Sequence, residues 1–115
     1  MSDVTGFDEV MANLNKEISR IEGAGMDGLL DAGLQVQRVS QSRTPVDTSN
    51  LKGSAFTRRE GDSVVTGNTA AYAIFVHEDM EANHANGQAK FLESALRDNQ
   101  RNILEIIRRR ARVNE

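Results

Sequence analysis

Between Phe7 and Val39 the large apolar residues step mostly by three or four: Phe7, Val10, Met11, Leu14, Ile18, Ile21, Met26, Leu29, Leu30, Leu34, Val36 and Val39. That spacing is a helical stripe with one apolar face. Gly23, Gly25 and Gly28 interrupt it, and each glycine costs about 1 kcal/mol relative to alanine inside a helix. The pattern predicts a helix over about residues 6–22, a kink or break at Gly23 to Gly25, and a second helix to about Ser42. The same glycines would also admit another backbone at close range. A plain interhelix turn is the simpler reading.

Pro45 stops the second helix, because its ring disfavours the α conformation for Thr44. The polar run Val46, Asp47, Thr48, Ser49, Asn50 is rich in side chains that bond their own backbone, with Leu51 as its apolar pin. Residues 53–59 alternate weakly around Phe56; Glu60, Gly61 and Asp62 supply turn chemistry, and Ser63, Val64, Val65 and Thr66 follow as a β-type run. These segments predict a hairpin with one face on helices and the other open to solvent or a partner. Residues 70–78 carry Tyr72, Phe75 and Val76 at helical spacing. A strand with Tyr72, Ile74 and Val76 on one face competes, and Ala70, Ala71 and Ala73 favour the helix. A polar loop through Asn83, His84, Asn86 and Gly87 leads to Phe91, Leu92, Ala95, Leu96, Ile103, Leu104, Ile106 and Ile107, the stripe of a long last helix with a gap at Asn99 and Gln100. The expected class is α+β: an N-terminal helical region, a small antiparallel sheet, a short helix and a long C-terminal helix.

Composition narrows the function. One domain spans residues 1–115, with a helical part at 1–43, turn and hairpin at 44–69, and short helix, loop and last helix at 70–115. Leu, Ile, Val and Phe make up about a quarter of the chain, enough for a core. There is no Trp and a single Tyr, so that core is aliphatic. The absence of cysteine removes disulfides, thiolate zinc sites and a thiol nucleophile together. No apolar run approaches a membrane span, and the acidic start MSDVTGFDEV differs from a secretory signal. The expectation is synthesis in the cytoplasm. The net charge of −3 hides an asymmetry: from Arg97 onward six arginines face three acids, while the first 96 residues hold eight bases against fourteen acids.

Candidate chemistry is thin. His77, Glu78, Asp79, Glu81 and His84 suggest a metal site, yet no second histidine stands four residues after His77. Local capping and loop hydrogen bonds explain them more simply. No serine sits in a nucleophile elbow, and the glycine cluster lacks the Lys-Ser/Thr of a phosphate loop. Arg97, Arg101, Arg108, Arg109, Arg110 and Arg112 crowd the last helix. A solvated helix C-terminus accounts for them through the macrodipole; nucleic-acid phosphates or an acidic protein surface are the functional alternatives. The pI near 5.4 and the lack of interleaved aromatics weigh against nucleic acid. No catalytic residue, cofactor or metal is expected.

Three segments in order, TPVDTSNLKGS at 44–54, YAIFVHE at 72–78 and GQAKFLESAL at 87–96, resemble the minor capsid or tail-completion proteins of tailed bacteriophages, small neck proteins that join head to tail. Many such proteins read Asp-Thr-Gly where this chain has Asp47, Thr48 and Ser49. The resemblance implies a non-enzymatic virion subunit that forms a ring, usually six-fold, and contacts neighbouring neck or tail-tube proteins. DNA would pass through the ring without specific recognition, and no membrane is involved. By position it implies that Pro45, Asp47, Thr48 and Leu51 set the turn into the sheet. Tyr72, Ala73 and Val76 would pack the short helix, and Lys90, Phe91 and Leu92 would seat the last one. Opposite charge poles suggest an interface in which Arg97, Arg101, Arg108, Arg109 and Arg112 meet Glu78, Asp79, Glu81 and the His84 loop of an adjacent subunit. The alternative is a small nucleic-acid-binding protein using the arginine helix.

Overall fold

The computed structural model describes residues 3–45, 52–69, 71–76, 85–86 and 90–114. The N-terminal stripe folds as two helices, α1 (Asp3–Ser19) and α2 (Met26–Arg43). The first sheds its last turn as tight i+3 bonds, Arg20 N–H to Glu17 O at 3.1 Å and Ile21 N–H to Ile18 O at 3.0 Å. Gly23 then adopts φ +86, a left-handed conformation that only glycine takes at little cost. The glycines therefore make a true break. Thr44 is extended (φ −78, ψ 126), as Pro45 after it requires.

The hairpin forms where its pattern placed it. β1 (Phe56–Glu60) and β2 (Ser63–Gly67) pair antiparallel from Phe56↔Gly67 to Glu60↔Ser63, leaving Gly61 and Asp62 as a two-residue loop. Gly61 has φ +59, and a glycine at positive φ in the first loop position suits a II′ turn, whose twist matches the strands.

The described part of the 70–78 segment, residues 71–76, does not form the expected helix. It contains β3 (Tyr72–Val76), paired antiparallel with β2 from Ser63↔Val76 to Gly67↔Tyr72. Alanine propensity lost to tertiary context: β2 offers an edge, and five residues alternating Tyr72, Ile74, Val76 against Ala73, Phe75 bury side chains on both faces, which one helical turn could not do. The two-residue β4 (Ala85–Asn86) adds to β3, completing the order β1-β2-β3-β4.

The long last helix is two: α3 (Lys90–Asp98) and α4 (Gln100–Asn114). Asn99 divides them. Its side-chain amide donates to Ala95 O at 2.8 Å, and its carbonyl accepts the first bond of α4 from Ile103 N–H at 2.8 Å. The apolar seam nonetheless continues through Leu92, Ala95, Leu96, Ile103, Ile107 and Ala111, all buried.

Helices cover one sheet face. α2 lies over β1 and β2 and against both α3 and α4, while α1 lies over β3. The core joins Phe7, Met11, Leu14 and Ile18 of α1 and Leu29, Ala32 and Val36 of α2 to Val64, Ala73 and Phe75 of the sheet and to the α3–α4 seam. On the other sheet face, outside that cluster, Val65 and Val76 are buried and Phe56, Tyr72 and Ile74 are half-buried.

Candidate functional site

Two polar devices lock the sheet to the helices. Asn15, 5% exposed on the core face of α1, uses its amide as a peptide group: Nδ2 donates to Ile74 O at 3.0 Å, and Oδ1 accepts from Val76 N–H at 3.1 Å. Among the described residues pairing with β4 ends at Ala73, and Asn15 satisfies the β3 edge beyond it. Beneath α2, the Thr57 hydroxyl lies 2.8 Å from Gln37 Oε1, 2.9 Å from Thr66 Oγ1 and 3.1 Å from Gly33 O. Thr66 Oγ1 is also 3.2 Å from Gly33 O. This seam needs α2 close to the sheet, and Gly33 supplies the room.

The arginines occupy less free surface than their sequence suggests. α4 runs beside α2, and Arg110 reaches Asp27 Oδ2 with Nη2 and Asp31 Oδ2 with Nε, both at 3.2 Å. The Nε of Arg110 is enclosed and aligned with no acceptor. Arg109 and Arg112 share Glu105 at 3.9 and 3.5 Å. Arg97 holds Glu93 at 2.6 Å, and Arg43 ties α2 to Asp98 and Ser94 of α3, both at 2.9 Å. Arg101 and Arg108 are exposed and form no ion pair among the described residues. Asn99 places Arg97 on α3 and Arg101 and Arg108 on α4. The basic pole is thus largely neutralised by acids that α2, α3 and α4 place beside it.

Two shallow grooves flank α4. One, about 280 Å³, lies between the end of α1 and α4 and mixes Glu17, Arg20 and Glu22 with Arg108 and Arg112 over Ile21 and Ala111. The other, about 300 Å³, lies between α2 and α4, with Leu34 and Ile106 beside Asp31, Gln35, Arg38, Arg109 and Arg110. Leu34 is 47% exposed, the one large hydrophobic side chain so open among the described residues. On the outer sheet face Phe56, Tyr72 and Ile74 are half-buried, and Arg58 stacks over the Phe56 ring at 4.6 Å while holding Glu60 at 2.7 Å.

Of the residues singled out from sequence, Ala73 faces the helices and Tyr72 and Val76 the outer sheet face, so they build a strand where the resemblance implied a helix. Lys90, Phe91 and Leu92 do open a helix, with Leu92 buried and Phe91 half-buried. Pro45 is exposed after Thr44. Asp47, Thr48, Leu51, His77, Glu78, Asp79, Glu81 and His84 lie outside the described residues. Among those described, no three His, Cys, Asp or Glu side chains gather as a metal site, and no helix is long and apolar enough to cross a membrane. Sequence reasoning passed over Asn15, although a polar residue inside the Met11, Leu14, Ile18 stripe was the signal. No family model, curated protein or solved structure matches this chain.

Proposed function

We propose that the chain is a non-enzymatic structural protein of a tailed-phage virion, closing as a homo-oligomeric ring, six-fold in the usual arrangement, where head meets tail. The observation that carries the reading is the outer sheet face: the described helices cover the other face, while here Phe56, Tyr72 and Ile74 stay half-buried beside the buried Val65 and Val76. Half-buried Phe56, Tyr72 and Ile74 on a face that no described helix covers suit a subunit that completes their burial against neighbours. The three segments that resemble tail-completion proteins give that burial a setting, and the ring's other contacts are with neck or tail-tube proteins. Arg101 and Arg108, free of ion pairs among the described residues, are the cations available to an acidic surface such as the Glu78, Asp79, Glu81 stretch of an adjacent subunit.

Light scattering combined with electron microscopy of the purified protein tests this. A discrete annular species supports it. A monomer whose DNA affinity falls steeply with salt would instead favour the nucleic-acid-binding alternative.

A further inference from the structure

The exposed face of α2 carries a pattern that complements itself. Asp31, Leu34, Gln35 and Arg38 stand at i, i+3, i+4 and i+7, so they share one face, and that face lies opposite the buried Leu29, Gly33, Val36 and Ser40. Their order is symmetric about the midpoint between Leu34 and Gln35. An identical helix laid antiparallel across that midpoint sets Asp31 against Arg38 at one end and Arg38 against Asp31 at the other, with the two Leu34 side chains meeting at the centre. Half-buried Leu30 and Val39 are related by the same symmetry.

Arg38 carries a charge with no described acid partner, and Asp31, though paired with Arg110, keeps an exposed carboxylate. Arg38 reaches Gln35 Oε1 at 2.9 Å but no carboxylate among the described residues. Asp31 is 46% exposed and meets only one nitrogen of Arg110. The Leu34 groove beside them, about 300 Å³, has space for an incoming aliphatic side chain, with Ile106 as its second apolar wall. A uniformly acidic partner would be repelled by Asp27 and Asp31, and a uniformly basic one by Arg38 and Arg109.

We propose that the outer face of α2 is a two-fold interface on which a second copy of this chain docks antiparallel, centred on Leu34. This surface is separate from the outer sheet face. An isologous contact closes after two copies, so combined with a ring it pairs two rings, and without one it gives a dimer. Either way its removal halves the particle.

The test compares the mass of the intact protein with that of Leu34→Asp by light scattering, with far-UV circular dichroism confirming the fold. Leu34→Asp is expected to halve the mass at concentrations where the parent is fully associated. Asp31→Arg and Arg38→Asp are each expected to weaken self-association roughly tenfold, because every substitution enters the contact twice. Mixed in equal amounts they should associate again, since the paired arginines of the first variant then face the paired aspartates of the second. An unchanged mass for Leu34→Asp, a parent that stays monomeric, or a mixture no tighter than either variant alone would each overturn the proposal. The first and third outcomes leave ring formation untouched, so the two readings fail separately.

Discussion

Gly33→Ala puts the packing of α2 on the sheet to a direct test. In an isolated helix the change is favourable by about 1 kcal/mol. Here the added Cβ would stand 2.8 Å from Thr57 Cγ2 and 3.2 Å from Val64 Cγ1, the first closer than side-chain carbons approach. Thr57 cannot swing aside freely, since its hydroxyl is held among Gly33 O, Gln37 Oε1 and Thr66 Oγ1. Overpacking of this kind costs about 1–3 kcal/mol, and a displaced, partly buried hydroxyl adds about 1–3 kcal/mol more. The net expectation is a loss of about 1–5 kcal/mol despite the better helix former, or roughly 4 °C in Tm per kcal/mol for a domain of this size. Thr57→Ser removes the offending methyl and keeps the hydroxyl, so Gly33→Ala with Thr57→Ser should recover at least half of the loss. Thermal and urea unfolding of the three variants provides the measurement. Gly33→Ala as stable as the parent, or no recovery in the double variant, would refute the close approach and the account of α2 built on it.

Further outcomes follow from the same geometry. Gly28→Ala meets Arg110 Cβ and Ile107 Cα at 3.4 Å, ordinary contact, so it should be neutral or gain up to about 1 kcal/mol in urea unfolding. Asn15→Ala strands Ile74 O and Val76 N–H of the β3 edge and should cost about 2–4 kcal/mol; Asn15→Asp keeps only the acceptor and should also destabilise, read by urea midpoint. Gly23→Ala forces a side chain onto φ +86 and should cost about 1–2 kcal/mol, with Gly23→Asn milder, by thermal melt. Reversing Arg101 and Arg108 to Glu should leave the melting curve nearly unchanged, because neither forms an ion pair among the described residues. It should weaken ring formation most at low salt, by light scattering.

The helices and the hairpin were legible because each rests on local information: the three-and-four stripe, Pro45 after Thr44, and Glu60, Gly61 and Asp62 between two short runs. β3 was not legible. Residues 72–76 satisfy both periods, and the deciding fact, the edge of β2 waiting opposite, exists only in three dimensions. Asn99 failed for a different reason, since a single side chain bonding back to Ala95 splits a helix without disturbing its apolar seam. The arginine cluster shows the limit most plainly. Counted along the chain it is a basic pole; folded, Arg110 lies against Asp27 and Asp31, some eighty residues away in sequence, and Arg109 and Arg112 against Glu105. Charge segregation in sequence carries over to a surface only when the fold keeps the opposite charges apart.

The most direct measurement is the mass and shape of the purified protein across concentration, by light scattering and electron microscopy. A subunit whose sheet completes its burial against neighbours should accumulate as a closed annulus of many 12.7 kDa chains. A single chain of that mass at every concentration, with no annular particles, would contradict it.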